Sequence, residues 1–95
     1  MTKRMYIAGK VTGQNRIDCL IKFQAAENRV RNMGYEPINP IKIVPEATIW
    51  PLAMKICMKS LLTCDAILVL PDYLDSPGAM LEVQVAKAIA MEIFT

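Results

Sequence analysis

The chain has 95 residues, 54% of them hydrophobic, and carries 11 basic against 9 acidic side chains for a net charge of +2. A near-neutral balance provides no broad field for a nucleic-acid polymer or a membrane surface, so a small molecule is the expected partner. One domain over residues 1–95 is expected, and at this size it buries only about 60 to 65% of the surface of its unfolded chain. With so much apolar surface to hide, self-association is expected.

The three cysteines, Cys19, Cys57 and Cys64, form no CxxC pair and the chain has no histidine, so a zinc site is hard to assemble. If one helix carries Cys57 and Cys64, about 10 Å separates them, too far for a disulfide. Reduced thiols fit a cytoplasmic protein. The apolar run from Met5 to Gly9 is too short for a signal-peptide core or a membrane span.

In chain order, Met5-Tyr6-Ile7-Ala8 reads as a buried strand ended by Gly9. The helix that follows Gly13 has Ile17, Leu20, Phe23, Ala26, Val30 and Met33 at three- and four-residue steps, with Gly34 as its stop. Tyr35-Glu36-Pro37-Ile38 reads as a short strand, and proline suits an edge. Asn39 to Pro45 reads as a connecting loop. Ile49, Ala53, Ile56, Cys57, Ser60 and Cys64 then share a helical face, with Thr48 as the cap.

Ala66 to Leu70 is an unbroken apolar run, as expected of a central strand covered on both faces. Pro71 to Gly78 is rich in turn formers, Ser76-Pro77 gives a hydroxyl cap with proline at the first helical position, and the helix runs to about Ala90. Glu92 to Thr95 has room for a last short strand. Strands alternating with helices predict a small Rossmann-like or flavodoxin-like α/β domain, with a parallel sheet of about four strands and helices on both faces. No repeat, linker or low-complexity segment is visible.

Ligands of open parallel sheets bind outside the carboxyl ends of the strands, which selects two loops and places them side by side. Gly9-Lys10-Val11-Thr12-Gly13-Gln14-Asn15 lies before a helix N-terminus, a place that favours an anion, although its spacing matches no phosphate-binding fingerprint. The alternative is an ordinary turn with Lys10 in solvent. The second loop contributes Asp72, Asp75 and Ser76 as candidates for a sugar hydroxyl or a proton, or as plain turn and cap residues. Glu82 shares a helical face with Ala79 and Ala86, and no Lys or Arg lies three or four residues away. A carboxylate on such a face is a candidate nucleophile, base or ligand anchor, or else a rim glutamate bound to water or to a distant cation. Asp65, at the amino end of its strand, has no catalytic role, and Trp50 and the methionines are read as packing or subunit-contact residues.

Tyr6-Ile7-Ala8-Gly9 with Thr12-Gly13, Gly34-Tyr35-Glu36 with Asn39-Pro40, Trp50 through Lys55, Leu61-Leu62 with Cys64-Asp65-Ala66, and Ser76-Pro77-Gly78-Ala79 leading to Glu82 together resemble a known group. They resemble the nucleoside 2-deoxyribosyltransferase-like superfamily, in particular its small DUF4406-type domains, over nearly the whole chain. The resemblance implies an N-glycosidase or 2-deoxyribosyl transferase acting on a deoxynucleoside or its 5′-monophosphate, without metal or organic cofactor. It implies Glu82 as nucleophile at the anomeric carbon, Tyr6 as the residue that positions it, Ser76 as a contact to the sugar or its phosphate, and the loop of Gly9, Lys10, Thr12 and Gly13 as the ligand's border; Asp72, Asp75 and Gly78 of the second loop stand beside these as candidate ligand contacts. It further implies a homo-oligomer with sites near subunit interfaces. One position departs from the pattern: Cys57 stands where relatives carry an aspartate thought to help protonate the leaving base. A non-catalytic nucleotide-binding or sensing domain of the same fold is the alternative.

Overall fold

A computed structural model describes residues 2–95. Four strands, β1 (Arg4–Ala8), β2 (Glu36–Ile38), β3 (Ala66–Val69) and β4 (Glu92–Phe94), form one sheet in the order β2-β1-β3-β4. Every pairing is parallel, with Tyr6 opposite Ile38 on one side and Ile67 on the other. The helices are α1 (Arg16–Asn32), α2 (Pro40–Ile43), α3 (Trp50–Leu61) and α4 (Pro77–Ala88). Since β1 and β3 are covered on both faces, their residues are apolar without alternation: Met5, Tyr6, Ile7, Ala66, Ile67 and Leu68 are all buried.

The pleat sorts these residues into two cores. Met5, Ile7, Ala66 and Leu68 pack against Cys19, Phe23, Ala26 and Val30 of α1. Tyr6, Ala8, Ile67 and Val69 pack on the opposite face against Cys57 and Leu61 of α3 and Val83 and Ala86 of α4. Helices therefore cover both faces, as expected. The chain runs from β1 outward to β2 and then crosses back past β1 to β3, so strand order reverses between β1 and β3. The carboxyl ends of those two strands flank the crevice that such a reversal opens.

Local signals account for the ends of the elements. Asn15 caps α1 by accepting from the Ile17 and Asp18 amides. Past α1, Gly34 takes φ +87°, its amide donates to Arg31 and the Tyr35 amide donates to Val30, which makes a Schellman stop. Ser76 caps α4 by accepting from the Ala79 amide at 3.2 Å, with Pro77 at the first position.

Several sequence expectations are corrected. Ile17 and Leu20 face outward, 66% and 42% exposed, while Cys19 takes the inward position, because it lies four, seven and eleven residues before Phe23, Ala26 and Val30 on one helical stripe. Thr48 does not cap α3: its hydroxyl donates to the Pro45 carbonyl, and Ile49 precedes the helix with no side-chain cap. Ile49 is exposed and Cys64 lies beyond the end of α3 at Leu61, so neither extends its buried face. The expected loop from Asn39 to Pro45 contains α2, capped by the Asn39 side chain on the Ile41 amide. A 3-10 turn spans Pro71–Asp75, and α4 ends at Ala88.

One buried acid escaped the periodicity. Glu27 is 3% exposed on α1 and binds Lys42 of α2 at 2.9 Å, Arg31 at 3.3 Å and the Asn39 amide at 3.4 Å. Burial by itself raises its carboxyl, but the hydrogen bonds from Lys42 and Arg31 outweigh that and hold it below the ordinary range. Its place four residues after Phe23 was the available signal, and its i,i+4 partner Arg31 masked it as a surface pair.

Candidate active site

A cavity of about 290 Å³ opens at the carboxyl edge of the sheet, near the lower limit for sites that take one small molecule. Tyr6 and Glu82 line it, with Gly9, Thr12 and Arg16 from the first loop and the start of α1. Ser76, Gly78 and Ala79 enter from the N-terminus of α4. The remaining wall comes from α2 and the segment after it (Pro40, Ile41, Val44 to Thr48) and from Trp50, Ala53, Met54 and Cys57 of α3.

Glu82 is the buried acid of this cavity, 5% exposed. One turn below the Ser76 cap, α4 is held against the sheet by Ala79, Val83 and Ala86, and this fixes Glu82 over β1. The Tyr6 hydroxyl, entirely buried on β1, donates to Glu82 Oε2 at 2.6 Å. Oε1 receives no hydrogen bond among the described residues, yet no buried side-chain oxygen is left sealed without a partner, so Oε1 keeps access to the cavity. Burial pushes the Glu82 carboxyl up from 4.5 to about 7, opposed by the Tyr6 hydrogen bond. Burial, and then the charge of Glu82, drive the Tyr6 hydroxyl far above its ordinary range, so it stays protonated and donates to Glu82. Cys57 faces the same pair, and burial pushes its thiol up to about 11. It is a neutral thiol rather than a nucleophilic thiolate.

The site residues expected from the sequence divide into two groups. Tyr6, Gly9, Thr12, Ser76, Gly78 and Glu82 come together on the cavity wall. Lys10, Gly13, Asp72 and Asp75 are not among the residues that line it. Gly9 serves a packing need as well: a Cβ there would sit 2.7 Å from Leu70 Cδ1, where the two loops cross. Gly13 has φ +80° and turns the loop toward α1. Asp75 is exposed at the end of the 3-10 turn.

Asp72 instead ties the two loops together. It accepts from the Lys10 amide at 3.0 Å and from Lys22 of α1 at 2.6 Å, while Lys22 also donates to the Lys10 carbonyl and to Gln14. Burial raises the Asp72 carboxyl, but the Lys22 ammonium and the Lys10 amide outweigh it and hold it below the ordinary carboxylate range. Both side chains are about three-quarters buried, at 23% and 26% exposure, so the pair is shielded from full solvent screening. Lys22→Met is expected to cost about 1–3 kcal/mol in urea unfolding, since it leaves the Asp72 carboxylate without its cation. An unchanged midpoint would mean that the loops hold without this clamp.

Sequence reasoning missed Arg16, Trp50 and Met54 as cavity residues. Trp50, expected to pack or to meet a second subunit, also lies on the cavity wall, 46% exposed and beside Gly78, and Met54 lies against the same glycine. A Cβ on Gly78 would meet Met54 Sδ at 2.9 Å, so this glycine lets α3 and α4 approach closely. No group of three His, Cys, Asp or Glu positioned to hold a metal occurs among the described residues. Nor, among them, is any helix long and apolar enough to cross a membrane.

These features define a class: a small parallel α/β domain with a ligand-sized cavity at its strand-order reversal and a buried, tyrosine-bonded carboxyl facing that cavity. Residues 3–95 match the model of the family described as Domain of unknown function (DUF4406), and the chain belongs to that family. No curated protein matches the chain.

Proposed function

We propose that the chain is an N-glycosidase or 2-deoxyribosyl transferase acting on a deoxynucleoside or its 5′-monophosphate, with Glu82 as nucleophile. The observation that carries this reading is the Glu82 carboxyl itself, buried in the cavity wall with Oε2 held by Tyr6 and Oε1 left open. In the reaction Glu82 Oε1 attacks the anomeric carbon while the bond to the base nitrogen breaks, and its electron pair leaves with the base, which takes up a proton from solvent water. Water or a second base then displaces Glu82, and two inversions retain configuration. Tyr6 holds the carboxylate in line and takes no proton. Ser76 and Thr12 offer hydroxyls to the sugar, and Trp50 and Met54 offer a flat apolar wall to the base.

The exposed apolar residues at the start of α3, Ile49, Trp50 and Leu52, of which Trp50 lines the cavity, support a homo-oligomer with its sites near subunit interfaces. A cytoplasmic setting agrees with the three free cysteines.

A chromatographic screen against the common deoxynucleosides and their monophosphates tests the reading, with Glu82→Ala as control. Base released by the wild type and not by the variant supports it. A fluorinated deoxyribosyl substrate should add its sugar mass to the peptide containing Glu82, and unmodified Glu82 at full occupancy would sink the enzymatic reading.

One observation favours a second reading, a nucleotide-binding or sensing domain without turnover. Cys57 occupies the wall beside Tyr6 and Glu82 where a proton donor to the leaving base is wanted, and a thiol with a pKa of about 11 is a weak acid there. Cys57→Asp is expected to raise base release by about ten- to a hundredfold, because a carboxyl beside buried Glu82 keeps a proton near neutrality. If the rate is unchanged while the ligand still binds, protonation of the base is not the step that Cys57 limits.

A further inference from the structure

Among the described residues the cavity has one cationic side chain on its wall, and it is not the one that the first loop advertised. Arg16, the first residue of α1, lines the cavity, whereas Lys10 does not. The lysine nearest this loop network, Lys22, is committed to the Lys10 carbonyl, Gln14 and Asp72. Two first-turn amides of α1 are occupied too, since the Asn15 side chain accepts from both Ile17 and Asp18. An anion in the cavity therefore has Arg16 as its cationic partner.

Arg16 is also available. Its ion pair is with Glu46, another residue of the cavity wall, at 3.8 Å, with side-chain exposures of 43% and 76%. A long pair between solvated groups contributes little and is readily exchanged. A phosphate offers the guanidinium two parallel charge-assisted hydrogen bonds and more negative charge than a carboxylate, so it displaces Glu46.

We propose that the site selects the 5′-monophosphate over the free deoxynucleoside, with Arg16 binding the phosphate and Glu46 as the acid that the phosphate displaces. This inference rests on the nucleoside reading of the cavity and narrows its substrate class. It assigns opposite signs to two neighbouring side chains. Loss of Arg16 weakens the anionic ligand alone, and loss of the Glu46 charge strengthens it.

The experiment titrates the full chain with the four common deoxynucleosides and their 5′-monophosphates, by calorimetry and by the fluorescence of Trp50, the single tryptophan. The wild type is expected to bind a monophosphate about ten- to a hundredfold more tightly than its nucleoside. Arg16→Gln removes that preference and leaves nucleoside affinity within about twofold, and Glu46→Gln tightens the monophosphate by about two- to fivefold. Both side chains are substantially exposed, and circular dichroism checks that the variants fold. Equal affinity for nucleoside and monophosphate overturns the inference and leaves the nucleoside reading intact. So does a preference that survives Arg16→Gln or is lost in Lys10→Ala instead. Failure of the wild type to bind either set overturns the nucleoside reading and this inference together.

Discussion

Glu82→Gln is expected to lower base release by at least about a thousandfold and, at the same time, to stabilise the fold above neutral pH. In the proposed reaction the loss follows from removing the attacking oxygen, since an amide cannot form the glycosyl-enzyme bond. The gain follows from linkage. In the folded protein the carboxyl titrates near 7, against 4.5 for the unreacted group in water. Between those values the unfolded chain has released a proton that the folded chain still holds, so stability falls as pH rises through this window. The deficit is absent below the unfolded value and levels off above the folded one, at up to about 3 kcal/mol. Gln keeps an oxygen that accepts from Tyr6, and it has no charge to desolvate. Urea unfolding of wild type and Glu82→Gln should therefore converge near pH ~4 and separate near pH ~8, with the variant more stable. Parallel curves at both pH values would mean that Glu82 is not held in a desolvating site.

Tyr6→Phe is expected to move the pH profile rather than only scale it. The hydroxyl is the one group that opposes burial in setting the Glu82 pKa, through its 2.6 Å hydrogen bond. Nucleophilic attack needs the carboxylate, so kcat/KM of the wild type should rise with pH through about 7. Without the hydroxyl the neutral carboxyl is favoured further, and the rising limb should shift upward by about one to two pH units, the equivalent of one charge-assisted hydrogen bond. The variant then loses most activity below neutrality and recovers at alkaline pH. A loss uniform across pH would show that Tyr6 acts on the substrate and not through Glu82.

The two predictions share one cause. Burying Glu82 destabilises its charged form, and Tyr6 returns part of that cost. The same burial lowers the polarity around the carboxylate and makes its charge effective toward a positive centre.

Much of this arrangement is legible along the chain because it depends on neighbours in sequence. The apolar run from Ala66, the Ser76-Pro77 cap and the Gly34 stop are local signals, and each defines an element in the structure. The spacing of Ala79, Glu82 and Ala86 puts the acid on one face of α4, and that face is buried. The strand-helix alternation likewise predicted a parallel sheet with ligand loops at its carboxyl edge.

What only the tertiary structure decided is which side chains meet across that edge. Lys10 and Asp72 look like ligand contacts beside Gly9 and Ser76, yet Lys22, from the next turn of α1, draws Asp72 and the Lys10 backbone into a clamp outside the cavity. Arg16 carries no motif and lines the cavity as the first residue of α1, after the loop that follows β1, whereas Trp50 and Met54 line it because the crossover from β2 to β3 brings α3 to the same edge. Glu27 is buried by the same crossover, which brings Lys42 and Asn39 to it. Periodicity reports which face of an element is inward, whereas a site depends on distances between elements far apart in sequence. Those distances are set by how the helices cross the sheet.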